Sequence, residues 1–340
     1  MAELVWKGKI SPFDSSQRIA SSYPSTIQAI AQYPTTHQQE FLSDSITEGW
    51  HNRLILGDKT DVLPTLLENF TAKVDLIYID PPFMTGRTFS NGSQVVYKDI
   101  WGKDIDGYLQ WLYEALVLLY ALLSERGSLY VHLDWRTTHY AKLLLDEVFQ
   151  NSLHNGGGFR NEIIWHYQSG GRSQKGYARK HDTILLYTKS AHACFHGERI
   201  GERRGIQKRN NMRKEVDVDG RVSWTIRSAG RLYTYSEDSV MTPSDVWSDI
   251  HHLHQRDPQR TGYATQKPEA LLERIITASS EEDDLVLDCF CGSGVTPIVA
   301  EKLKRRWIAC DKSDASINTT RTRLLASEHT LPFIVQQVVK

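Results

Sequence analysis

The sequence predicts an α/β protein with a mainly parallel, doubly wound sheet and helices on both faces. Three observations predict it. Short apolar, β-branched runs alternate with amphipathic stretches of helical length over residues 51–191, and the rhythm resumes after residue 261. Two of the runs, Val74-Asp75-Leu76-Ile77-Tyr78-Ile79 and Leu285-Val286-Leu287-Asp288-Cys289, are apolar at most positions, as strands covered on both faces are. Each is followed at once by turn chemistry, Asp80-Pro81-Pro82-Phe83 and Phe290-Cys291-Gly292-Ser293-Gly294, at what would be one edge of the sheet.

The elements follow in order. Residues 1–50 are rich in Ser, Thr, Gln and Pro from position 11 onward and offer little to bury, so they read as a partly disordered arm. Residues 53–57 read as a strand, 58–70 as a helix and 74–80 as a strand. A loop with Asn91-Gly92 and Trp101-Gly102 leads to a long apolar helix at 108–123. Strand 128–133, helix 136–150 and a Gly156-Gly157-Gly158 break come next. Strands 161–167 and 183–188 bracket a polar loop. From 267 the pattern is helix to 280, strand 285–289, helix 295–304, strand 307–310 and helix 315–327. Between 192 and 260 long apolar runs vanish and basic residues outnumber acids, with Trp224, Tyr233 and Tyr235 interleaved. That divides the chain into an arm (1–50), a first α/β half (51–191), an insertion (192–260) and a second α/β half (261–340).

At 340 residues and 40% apolar, the chain can bury one large core or two modest ones. A net charge of -1 means that any nucleic-acid surface must come from local clustering. The four cysteines form no CxxC pair, which fits a reducing cytoplasm. No apolar signal core or membrane-length stretch is present, so a cytoplasmic protein without a membrane partner is expected. His192, Cys194, His196, His251, His252 and His254 lack metal-ligand spacing, and no metal is expected.

The glycine turn after residue 289 lets a ligand approach backbone closely, and Asp311, one strand later, can accept ribose hydroxyls. The turn lacks the full G-x-G-x-x-G spacing and the Gly-Lys-Ser/Thr of a phosphate loop. A small adenosyl compound therefore suits it better than a dinucleotide or ATP. In Asp80-Pro81-Pro82-Phe83 the prolines fix the backbone just past a strand end. A carboxylate and a backbone carbonyl there can both accept from one NH2 group. Phe83 offers a flat face for a heterocycle. The alternative is an Asx-Pro turn with Phe83 in the core.

Asp-Pro-Pro-Phe with a distant Phe-x-Gly-x-Gly resembles the AdoMet-dependent amino-methyltransferases of DNA, which modify adenine N6 or cytosine N4. The catalytic motif precedes the cofactor turn, as in the circularly permuted β group, to which the methylating subunits of type III restriction-modification systems are similar. The resemblance spans about residues 50–330. It implies a Rossmann-like AdoMet fold, S-adenosyl-L-methionine as cofactor and double-stranded DNA as substrate. It implies Asp80, Pro81, Pro82 and Phe83 as catalytic residues, and Asp58, Gln266, Lys267, Pro268, Asp288, Phe290, Gly292, Gly294 and Asp311 around the cofactor. Within that set Asp288 lies toward the methionine amino group, Asp311 toward the ribose and Lys267 toward the methionine end. For Asp58 an N-cap role is an equal reading. Phe83 replaces the commoner Tyr of the family.

The basic insertion reads as the target-recognition region, with Arg203, Arg204, Lys208, Arg209, Arg213 and Arg227 as DNA contacts. Arg172 and Lys175 form a second basic stretch. Asp at the head of the tetrapeptide favours adenine over cytosine within the family. The resemblance also implies a possible cognate restriction enzyme, and a homodimer is compatible with it. A non-catalytic DNA-binding subunit and an RNA or small-amine methyltransferase are the readings from other classes.

Overall fold

The computed structural model describes residues 3–6, 9, 15–22, 25–33, 49–91, 94–99, 104–168, 173–205, 211–327 and 330–339. They fall into two compact units, Met1–Cys194 with Asp245–Lys340, and Phe195–Ser244.

The larger unit begins with α1 (Ser15–Ser21), β1 (Thr26–Tyr33), β2 (Asn52–Leu56), α2 (Lys59–Phe70) and β3 (Val74–Ile79). It continues through β4 (Arg87–Asn91), β5 (Gln94–Asp99), α3 (Ile105–Leu122), β6 (Leu123–Leu133), α4 (Thr138–Val148), β7 (Gly158–His166) and β8 (His181–Thr188). The smaller unit holds α5 (Gly197–Ile200), β9 (Glu202–Arg203), β10 (Arg213–Val216), β11 (Val222–Ser228), β12 (Arg231–Ser236) and β13 (Val240–Met241). The larger unit resumes with β14 (Val246–Trp247), α6 (Glu269–Ser279), β15 (Leu285–Asp288), α7 (Val295–Lys302), β16 (Arg306–Asp311), α8 (Asp314–Leu325) and β17 (Phe333–Val339).

Among the described residues the larger unit has one ten-stranded sheet, ordered β1-β17-β2-β16-β15-β3-β6-β8-β7-β14. The run from β17 to β6 is parallel throughout, and β1, β8 and β7 join antiparallel. Strand alternation sends side chains to two cores. Ile55, Ile77, Ile79, Leu129, Val131 and Leu287 meet α1 to α4 on one face. Leu54, Leu76, Tyr78, Tyr130, Val286 and Trp307 meet α6 to α8 on the other. This is the doubly wound, mainly parallel sheet that the sequence predicts. At roughly 1.5–3 kcal/mol for each leucine-sized side chain removed from water, α3 anchors its layer: Leu109, Leu112, Leu116, Leu119 and Leu122 are all buried.

Local chemistry sets the helix starts. Asp58 caps α2 by accepting from the Thr60 N–H, and Asp104 caps α3 through Gly107. Pro268 stands at the N-cap of α6, and Gly294, at φ +77°, opens α7. The pairing of β15 with β3, Leu287 beside Ile77, joins segments some 210 residues apart, and the Asp75 carboxylate accepts the Leu285 N–H.

Four expectations change. The arm is not a loose tail over its described residues: β1 pairs along β17, and Tyr33 stacks on Phe333 at 4.9 Å. Trp6 and Ile19 are buried in the core, and Lys9 bonds Glu147 at 2.6 Å. Only alternate residues of β1 pack inward, so its composition reads as polar; residues 34–48 of the arm lie outside the described set. The region after Phe83, expected as loop, contains the β4–β5 hairpin; Gly92, Trp101 and Gly102 lie outside the described residues. Residues 245–260 belong to the larger unit rather than to the insertion, because Val246–Trp247 pairs with β7 and Trp247 is buried there. The closing strand β17 was not expected at all; buried between β1 and β2, it carries polar Gln336 and Gln337 that break its apolar run.

Candidate functional site

The carboxyl ends of β2, β16, β15 and β3 stand side by side in the sheet, and each releases an aspartate: Asp58, Asp311, Asp288 and Asp80. All four line one pocket at this edge, together with Pro81, Pro82, Phe83, Lys267, Phe290 and Gly292. Parallel strands put every carboxyl end on the same edge, so residues far apart in sequence converge there.

The catalytic candidates sit in a braced loop. Tyr108 of α3 donates to the Pro82 carbonyl at 2.9 Å. Asp99, fully buried at the end of the hairpin, accepts from the N–H groups of Met84 (3.0 Å) and Thr85 (2.8 Å). Met84 takes φ +56°, which ordinarily costs a non-glycine residue about 1 kcal/mol or more and is held here by those bonds. The Asp80 carboxylate faces the Lys267 ammonium in a direct ion pair, and the same ammonium lies 5.4 Å from the Phe83 ring centre. The structure thus sets Lys267 beside the catalytic candidate rather than apart from it.

The cofactor candidates divide. Asp288 is buried and accepts from the Phe290 N–H (2.9 Å) and the Thr296 hydroxyl (2.5 Å). Burial pushes its carboxyl up to about 7, against those two bonds. Asp311 accepts from the N–H groups of Gly292 and Ser313, each at 2.9 Å, and burial raises it too. Asp58 caps α2 and lines the pocket as well; burial would raise it, but the Thr60 bonds and the Lys59 charge outweigh that and lower it. Gly292 (φ +52°) and Gly294 (φ +77°) both need the left-handed region. Gly294 and Pro268 shape the two helix starts without lining the pocket. Gln266 turns away: its side chain accepts from Thr261 and donates to the Gln259 carbonyl.

Several pocket residues carry no sequence signal. Lys59 is buried, donates to the Trp111 carbonyl at 3.0 Å and lies 4.7 Å from the Trp111 ring; burial lowers it to about 8. Trp111 in turn stands 5.5 Å from Phe290. Tyr78 hydrogen-bonds His132 Nδ1 at 2.8 Å, and His132 Nε2 lies 3.3 Å from Asp182. On α3 Trp111 reads as one more core aromatic, and Tyr78 as a strand residue.

The predicted DNA contacts scatter. Arg203, Arg213 and Arg227 are exposed in the smaller unit, and Lys175 is exposed in the larger. Arg204 is not a surface contact: it is 3% exposed, its guanidinium 5.1 Å from the buried Trp224 ring. Trp224 needs a lid in so small a unit, and the flat guanidinium supplies one. Arg172, Lys208 and Arg209 lie outside the described residues.

A family described as DNA methylase matches residues 74–321 of the chain. The type II methyltransferase M.HpaI of Haemophilus parainfluenzae is 30% identical over 274 residues, covering 80% of this chain and 74% of that protein. The DNA adenine methyltransferase YhdJ of Escherichia coli K12 is 28% identical, over 79% of this chain and 82% of its own length. The PvuII DNA methyltransferase, described as cytosine-N4-specific, shares the fold with a TM-score of 0.54 at 18% identity, over 82% of this chain and 89% of that one. Among the described residues no helix is long and apolar enough to cross a membrane.

Proposed function

This chain belongs to the DNA methylases, a family that draws its methyl group from AdoMet, and we propose that it methylates the exocyclic N6 amine of adenine in duplex DNA. The observation that carries the proposal is the Asp80-Pro81-Pro82-Phe83 loop and the Asp288–Gly292 segment lining a single pocket. Asp at the head of the tetrapeptide and the similarity to an adenine methyltransferase support adenine over cytosine.

The residues fit the cofactor on their own chemistry. Asp288 is a buried carboxylate whose hydrogen-bond donors are both neutral, so a ligand ammonium would relieve its unfavourable charge. Gly292 brings bare backbone to the pocket wall, and Trp111 with Phe290 offers aromatic surface for an adenine ring. Asp58 and Asp311 would hold the adenosine, and Asp288 the methionine ammonium. When bound, AdoMet supplies an electrophilic methyl group.

The chain's own residues then orient the amine. Asp80 Oδ and the Pro81 carbonyl accept the two N–H bonds of the target NH2, so that its lone pair faces the methyl donor. A carboxylate oxygen can accept from both the amine and Lys267, so the ammonium need not leave. Phe83 stacks on the extruded base. Asp80 takes up the proton that the methylated nitrogen sheds. The bracing of the loop by Tyr108 and Asp99 keeps these acceptors fixed, so little reorganisation is needed at the moment of transfer. Exposed Arg203, Arg213 and Arg227 of the inserted unit and Lys175 of the larger unit meet phosphates.

The test is incubation of the purified chain with labelled AdoMet and unmethylated genomic DNA, followed by nucleoside mass spectrometry. N6-methyladenine is expected. N4-methylcytosine alone would overturn the adenine assignment, and label in RNA but not DNA would overturn the substrate.

A further inference from the structure

Trp135 is a large apolar side chain left 43% exposed two residues past the end of β6. Its place follows from register. Strands β3 and β6 are parallel neighbours with Ile79 opposite Val131, and β6 runs on through Leu133, so Asp80–Phe83 and Asp134–Trp135 follow neighbouring strand ends at the same edge. The Phe83 ring centre lies 6.1 Å from that of His132, the penultimate residue of β6, so the Asp80–Phe83 loop stands beside the end of that strand.

The turn that carries Trp135 is rigid. Asp134 accepts from the Arg136 N–H at 2.8 Å, its carboxylate also binds the Arg136 guanidinium, and its carbonyl takes the Thr138 hydroxyl at 2.7 Å. An indole presented by a fixed turn loses little freedom on docking. Two guanidinium carbons attend the ring, Arg136 at 4.7 Å and Arg179 at 3.9 Å. Arg179 belongs to an exposed segment that also shows Lys175 and Tyr177 to solvent, and Tyr140 is exposed on α4 nearby in sequence. An aromatic face with two guanidinium groups over it, at a strand end next to the one that carries Asp80, matches the chemistry of a nucleic-acid strand: stacking for bases and positive charge for phosphates.

We infer that the Trp135–Arg136–Arg179 cluster is the duplex-facing rim of the catalytic pocket, with Trp135 stacking against the bases that flank the extruded target. A base leaving the helix breaks two stacking contacts, and an indole at the mouth of the receiving pocket replaces part of them. Arg179 and Arg136 hold the phosphates on either side. This assigns DNA contact to the larger unit itself, independently of the basic insertion. The inference rests on duplex DNA being the substrate, which the wild-type methylation assay tests separately.

The experiment measures steady-state methylation of sheared unmethylated plasmid DNA, with binding of the same DNA followed at several salt concentrations. Trp135→Ala should raise KM for DNA about ten-fold, the order expected for loss of one stacking aromatic. S-adenosylhomocysteine affinity and thermal midpoint should stay at wild-type values, and Trp135→Phe should recover most of the loss. Arg179→Ala should lower the slope of log Kd against log salt by about one, as for one phosphate contact. Wild-type KM in Trp135→Ala together with an unchanged salt slope in Arg179→Ala would overturn the assignment. So would a KM loss in Trp135→Ala matched by an equal loss of S-adenosylhomocysteine binding, which would mark a structural role.

Discussion

Asp288 gives the sharpest prediction, because a buried carboxylate that titrates near neutrality links cofactor binding to pH. Its carboxyl has an ordinary value of 3.8 and is pushed to about 7 by burial, with Asp80 and Asp311 adding repulsion. The move from 3.8 to about 7 corresponds to about 4 kcal/mol against ionising the buried group. The sign is fixed by which state holds the proton. Between pH 3.8 and 7 the folded protein keeps a proton that the unfolded chain has lost, so this group's contribution to stability is full below 3.8 and is lost as pH rises through 7. A ligand ammonium reverses the preference, since it needs the carboxylate. Affinity for S-adenosylhomocysteine, which carries the same ammonium, should therefore fall about ten-fold for each unit of pH below 7 and level off above 8. Near pH 7 binding should release about half a proton, visible as a dependence of calorimetric heat on buffer ionisation enthalpy. Asp288→Asn should keep the fold, bind weakly, and show a flat pH profile; above pH 7 its free form should melt at higher temperature than the wild type. A flat wild-type profile from pH 5.5 to 8, or an unchanged slope in Asp288→Asn, would refute the argument.

Three further outcomes follow from other parts of the molecule. Asp80→Ala should lose turnover by about 10²–10³-fold, the scale of removing one positioned hydrogen-bonding group from an active site, while S-adenosylhomocysteine binding measured by calorimetry survives. Gly294→Ala should destabilise the fold by about 1–3 kcal/mol in denaturant titration, because the added Cβ would clash with the Thr320 side chain on a φ of +77°. Arg204→Ala should lower the thermal midpoint and leave the salt dependence of DNA binding alone, whereas exposed Arg203→Ala should do the reverse.

Much of the fold was legible because buried parallel strands are written as continuous apolar runs, and residues 74–79 and 285–288 are such runs. The turn motifs were legible for a similar reason: Pro81, Pro82, Gly292 and Gly294 restrict or free the backbone wherever they stand. Edge strand β1 was not legible, since half of its residues face solvent and its stability comes from pairing with β17, some 300 residues away. The same holds for Arg204, whose charge says surface and whose neighbours Trp224 and Tyr235 say otherwise.

By itself, then, the sequence determined the local chemistry: which buried apolar runs are strands, where the Asp-Pro-Pro-Phe loop and the glycine turn lie, and which carboxylates end those strands. The tertiary structure alone decided what those groups face. Setting β15 beside β3 brought Asp288 within the field of Asp80. Packing of α3 and the hairpin fixed the Asp80–Phe83 loop through Tyr108 and Asp99, and the α6 approach put Lys267 on Asp80. Backbone preference is a property of adjacent residues and is readable along the chain. Electrostatic environment and packing depend on groups hundreds of positions apart, and exist only once the sheet has closed their distance.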